Sequence, residues 1–169
     1  DFWASRVERN GPGHYDINNV IGANEWQENI DNNAFTNGMA KTVLAYATDA
    51  AKELGLAPNP DWMLVAENIP ILKFPDGVTR ENATYDGVTI KQADVNLLAY
   101  PLKVITDPVQ IKKDLDYYEP RSQIANVLLK RFQKVCALRR SRAICPNFCP
   151  ILARTATNQD QSRVVDSKL

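Results

Sequence analysis

Residues 10–37 read NGPGHYDINNVIGANEWQENIDNNAFTN, a loop dense in Asn and Gly with Glu25 set between Asn24 and Trp26. Asn, Asp and Gly collect where backbone turns sharply and side chains hydrogen-bond to it. A sugar site needs the same parts: amides and carboxylates for hydroxyls, an indole face for the ring, and an acid to protonate a leaving oxygen. Glu25 is the candidate acid. Such an acid must stay protonated near its working pH, and burial against Trp26 would raise its pKa toward that range. The competing reading is a solvated loop glutamate, or a cap for the helix that follows. Glu28 and Asp31 read as caps or as partners for sugar or backbone.

Lys91-Gln92 is the second candidate. The pair lies where an extended segment meets a helix, and it could give donors and an acceptor to sugar hydroxyls. The plainer reading is a helix start facing water. His14, the only histidine, could orient a hydroxyl, though a structural hydrogen bond is its expected role. Most of the loop asparagines should hold backbone. Asn82-Ala83-Thr84 is a glycosylation sequon in a polar turn, which fits a secreted or vacuolar protein. The first 120 residues show no phosphate-cradling glycine loop, no Ser/His/Asp arrangement and no aromatic-basic face for nucleic acid. Cys136, Cys145 and Cys149 match no zinc spacing, and a Cys145–Cys149 disulfide is left open.

These residues need a frame. The 169-residue chain is long enough for one domain with a real core. It starts at Asp1, which reads as a processed product or a fragment. No stretch approaches the roughly 18–20 apolar residues that span a bilayer. The zero net charge hides a break: residues 1–120 carry 10 Lys+Arg against 18 Asp+Glu, and residues 121–169 carry 10 against 2. All seven Gly and all three Trp precede the break, and all three Cys follow it.

Residues 1–9 read as the last turns of a helix stopped by Asn10-Gly11-Pro12. After the loop, Asn32 or Asn33 caps a long helix whose apolar positions, from Phe35 through Val43 and Tyr46 to Leu54, repeat near every 3.6 residues. Gly55 ends it. A short helix over 60–68 opens on Pro60. Residues 69–90 read as extended, with FPDG as a turn. Helices over 92–100 and from Pro108 to Tyr118 follow, the latter capped by Asp107. The order predicts a mostly α architecture with a small β-hairpin excursion.

Five blocks in register make a family recognisable: DFWASRV, NGPGHYDINNVIGANEW, ENIDNNAFTN, TIKQADVNLLAYPL and DLDYYEPR. Residues 1–120 resemble the central catalytic region of glycoside hydrolase family 65, most closely its fungal acid trehalases. The resemblance implies part of an (α/α)6 barrel. It also implies an inverting hydrolysis of α,α-trehalose to glucose that needs no cofactor or metal. The family's catalytic acid maps to Glu25 of Gly22-Ala23-Asn24-Glu25-Trp26, and its glucose-binding pair maps to Lys91-Gln92; Trp26 is the accompanying substrate contact. Inversion requires a second carboxylate about 6.5–9.5 Å away, which the matching segment does not identify. Other readings in the family are a disaccharide phosphorylase, another α-glucoside hydrolase, or a non-catalytic remnant. The expected compartment is secreted, cell wall or vacuole, with neither membrane nor nucleic acid as partner.

Residues 121–169 match neither the trehalase nor the phosphorylase continuation. Their basic, cysteine-bearing composition fits a disordered tail or the product of a shifted frame, an unspliced intron or a truncated gene. A chain holding half a barrel is expected to expose apolar helix faces and to have little trehalase activity.

Overall fold

A computed structural model describes residues 1–123, which form one compact unit. The basic-tail reading of residues 121–169 lies outside the described residues from position 124 on. Among the described residues the order is α1 (Phe2–Arg6), β1 (Glu8–Arg9), β2 (Tyr15–Asp16), α2 (Ala34–Glu53), α3 (Pro60–Asn68), α4 (Val95–Ala99) and α5 (Pro108–Tyr118), closed by a 3-10 turn over Glu119–Arg121. The unit is mainly helical with one two-stranded sheet. No helix among these residues is long and apolar enough to cross a membrane.

The helix boundaries follow local chemistry. Asn33 caps α2, its side chain accepting from the Thr36 amide at 2.9 Å. At the other end Gly55 takes φ +70°, the Leu56 amide reaches Ala51 O at 2.9 Å and the Gly55 amide reaches Lys52 O at 3.0 Å. That pair of bonds is a glycine-centred helix stop. Asn59 with Pro60 starts α3, and Asp107 with Pro108 starts α5.

Two elements depart from the sequence expectation. The segment read as a helix end stops at Arg6, because Glu8–Arg9 pair antiparallel with Tyr15–Asp16. The Asn10–His14 turn is the tip of that hairpin, closed by Asn10 N to His14 O at 3.0 Å. The excursion expected over 69–90 is a tight turn bridged within itself at Lys73 and Thr79, with Ile90 at its end bridging Ser122. Its polar anchor is Asp114, buried and accepting from Thr79 N, Thr79 Oγ1 and Gln110 Nε2, each at 2.8 Å.

Helix α2 divides the core. One cluster gathers Tyr15, Ile17, Ala40, Leu44, Val65 and Ile69 between α2, α3 and the hairpin. The other gathers Ala34, Val78, Tyr85, Ile90, Leu98 and Tyr118 around α4 and α5. Lys41 ties α2 to the end of α3, donating to Ala66 O at 2.5 Å and Ile69 O at 2.9 Å. The buried stripe of α2 differs from the expected one: Ala34, Asn37, Gly38, Ala40, Leu44, Thr48 and Ala51 face in. Gly38 lies so close to Leu98 that a Cβ there would collide with it. Small residues let the helix approach its neighbours, so Val43, Tyr46 (70% exposed) and Leu54 (74% exposed) face out.

Candidate active site

The Glu25 loop is a closed excursion. Val20 and Ile30 bridge at its neck, with Val20 N to Ile30 O at 2.9 Å and Ile30 N to Val20 O at 3.0 Å. Asp31 accepts from the Asn19 amide at 2.9 Å, and Asn32 N donates to Ile17 O at 2.8 Å. Asn19, Asn29 and Asn32 all take positive φ. Asparagine tolerates that conformation better than most residues, which accounts for the loop's composition.

Glu25 takes φ +60° as well. The left-handed region costs a side-chain-bearing residue roughly 1–2 kcal/mol. It persists here because the bend is tied on several sides. Glu25 N donates to Gly22 O at 3.2 Å, and Lys91 N donates to Asn24 Oδ1 at 3.0 Å. Gln92 Nε2 donates to Ala23 O, and Lys91 Nζ forms an ion pair with Glu25 Oε2. Glu25, Lys91 and Gln92, 66 positions apart along the chain at the first step, therefore meet in one place. Strain held at a polar cluster is itself a pointer to function.

The electrostatics differ from the sequence expectation. Glu25's side chain is 66% exposed, and Trp26 is half exposed. Lys91's hydrogen bond and charge hold the Glu25 carboxyl below its ordinary range. The expected upward shift from burial against Trp26 is absent, since the indole does not cover the carboxyl and a cation sits on it. Lys91 and Gln92 also lie outside any helix. Helix α4 begins only at Val95, because the two oxygens of the buried Glu81 carboxyl group take the Asp94 amide at 2.9 Å and the Val95 amide at 3.3 Å.

Packing encloses the asparagine of the sequon. Asn82 is fully buried. Its Nδ2 donates to Gln27 Oε1 at 2.9 Å, and its Oδ1 accepts from Thr84 N and Thr84 Oγ1. A glycan needs that nitrogen at the surface, so the folded unit presents no acceptor there.

Beneath the loop lies a group that sequence reasoning passed over. Asp94 and Glu81 are both fully buried carboxyls, and burial pushes both upward, Glu81 to about 8 and Asp94 to about 6. Asn33 Nδ2 donates to Asp94 Oδ2 at 2.8 Å. Asn33 thus caps α2 with its oxygen and holds Asp94 with its nitrogen. Asn33→Ala removes both and is expected to destabilise the unit by about 2–3 kcal/mol in denaturant unfolding, combining a lost cap with a lost bond to a carboxyl. A loss under about 1 kcal/mol would show the two contacts to be dispensable.

The sequence has counterparts among known proteins. Residues 1–69 match the glycosyl hydrolase family 65 central catalytic domain. Similarity to individual relatives extends further. A kojibiose hydrolase from Mucilaginibacter mallensis is 71% identical over 121 residues, which is 72% of this chain and 18% of the relative. A kojibiose hydrolase from Flavobacterium johnsoniae is 55% identical over the same shares. A periplasmic/secreted acid trehalase from Candida glabrata is 40% identical over 113 residues, 64% of this chain and 9% of the relative. The chain is thus similar to part of the glycosyl hydrolase family 65 central catalytic domain, by the family match over residues 1–69 and by relatives matched over 121 residues. It spans about a fifth of the length of the kojibiose hydrolases it matches.

Proposed function

We propose that this chain supplies the acid-bearing portion of an inverting α-glucosidase, with Glu25 as proton donor to the glycosidic oxygen. Lys91 and Gln92 bind the hydroxyls of the glucose being released, and Trp26 offers its ring as a sugar platform. The observation that carries this reading is the convergence of Glu25, Lys91 and Gln92 on one strained bend. The hydrogen bond and charge of Lys91 favour the ionised form of Glu25. Sugar hydroxyls compete for the same ammonium donors. As Lys91 turns to them, Glu25 loses its cation, and exclusion of water raises its pKa toward that of a general acid. A second carboxylate, from outside the acid loop, activates the attacking water on the opposite face.

The substrate we propose is kojibiose. The 71% identity to a kojibiose hydrolase outweighs the 40% identity to an acid trehalase, so the trehalose expected from the sequence becomes the lesser reading. The outward apolar side chains of α2, with Leu64 of α3 and Val109 of α5, are the faces on which further helices of an (α/α)6 barrel would pack.

The test is a graft. Residues 1–121 replace the matching segment of the M. mallensis enzyme, and glucose release is measured on kojibiose, on trehalose, and with and without phosphate. Activity on kojibiose without phosphate is expected. Preference for trehalose, or a requirement for phosphate, would overturn the substrate assignment. The 169-residue chain alone, with Glu25 open to solvent, is expected to release glucose from neither sugar at an enzymatic rate.

A further inference from the structure

Two buried carboxylates in this unit are built differently. Asp114 uses both oxygens, on Thr79 and Gln110. Asp94 uses one: Oδ2 accepts from Asn33, and Oδ1 has no hydrogen-bond partner although the residue is fully buried. Asn24 Nδ2, also buried, lacks a partner too. Each orphan costs about 1–3 kcal/mol.

A Cβ on Gly22 would collide with Asp94 Oδ2 and with the Asn33 amide. Gly22 is the residue whose carbonyl closes the Glu25 turn, so the carboxylate of Asp94 is the floor on which the bend rests. The backbone of Ala23 and Asn24 lies close enough to favour the charge of Asp94. The same two residues hold the other side of the site, Ala23 through Gln92 and Asn24 through Lys91 N. From below, Glu81 fixes Asp94 through its backbone amide.

We propose that Asp94 is the positioning residue for Glu25: seated under Gly22, it sets the bend that brings the Glu25 carboxylate onto Lys91. Asp94 touches no substrate and takes no proton in the reaction. The proposal rests on the reading of Glu25 as the acid for its catalytic meaning, but its geometry can be measured without any turnover.

The experiment uses the 169-residue chain with 13C-labelled glutamate and follows the Glu25 carboxyl titration by NMR. In the wild type Lys91 holds this titration low. Lys91→Ala gives the unpaired reference. Asp94→Ala is expected to raise the Glu25 midpoint to that reference, and Asp94→Ala with Lys91→Ala to raise it no further. Gly22→Ala, which pushes the loop off its floor from the other side, is expected to match. Asp94→Asn keeps the shape and one acceptor, so an intermediate midpoint is expected. A merely stabilising Asp94 would lower the unfolding midpoint and leave Glu25's titration in the folded chain unchanged. That result in any folded variant overturns the proposal. Should Asp94→Ala and Gly22→Ala lose their far-UV circular dichroism, Asp94→Asn decides: a raised Glu25 midpoint supports the assignment and an unmoved one ends it. Failure of the catalytic reading shows separately, as undiminished glucose release by the Glu25→Gln graft.

Discussion

Glu25→Gln, introduced into the graft described above, is expected to lower kcat on kojibiose by about 10²–10⁴-fold, the usual contribution of a general acid. Glutamine keeps the size of the side chain and an oxygen that can still accept from Lys91, so the loop and the sugar contacts should survive and KM should change little. What is lost is a proton for the departing hydroxyl. The choice of leaving group therefore separates acid catalysis from damage to the site. Fluoride leaves without protonation, so α-glucosyl fluoride should be turned over by the Gln variant at close to the parent rate. Equal losses on both substrates would mean that Glu25 orients the sugar and another group supplies the proton. Lys91→Ala should behave differently again, raising KM on both substrates because its ammonium binds hydroxyls.

The contrast between what the sequence disclosed and what it hid has a physical basis. Helix starts were legible because they are local: Asn33, Asn59 and Asp107 cap within three residues of themselves, and Pro60 and Pro108 fix the first turn. The acid loop was legible by composition, since its positive-φ sites select Asn. The start of α4 was not, because its cap is Glu81, 13 residues upstream of the Asp94 amide it holds. For the same reason nothing local to Asp94 singles it out. Its meaning depends on Gly22 and Asn33, which lie 61 positions or more away. The α2 stripe misled in the opposite sense. Tyr46 and Leu54 fit a helical period but face outward, while Asn37 and Gly38 face in, because close approach of the helix to its neighbours selects small or hydrogen-bonding side chains over large apolar ones. Asn82 shows the limit of a motif read alone: the tripeptide is correct, and the packing around it closes the site.

The Glu81–Asp94 pair makes the unit's stability fall as pH rises, the reverse of what a surface salt bridge does. Burial raises both carboxyls, and Glu81 is raised further by the charge of Asp94. In the unfolded chain both would titrate near their usual values of about 4. Between that range and the folded values, to about 8 for Glu81, the native state holds more protons than the unfolded state. The stabilisation from keeping these protons is complete below about pH 4 and is lost as pH rises through the folded values. Equilibrium urea unfolding of the 169-residue chain should therefore give a midpoint that declines from pH 5 to pH 8.5, with a change on the order of 3 kcal/mol. Glu81→Gln should flatten that decline. Its amide group cannot accept from both the Asp94 and Val95 amides, so the variant should start roughly 1–3 kcal/mol less stable at pH 5. The two curves should then converge toward pH 8.5, where the wild type carries its buried charge and the variant carries a strained but neutral cap. Parallel curves would mean that Glu81 is ionised in the folded chain throughout, with its two backbone amides enough to hold the charge.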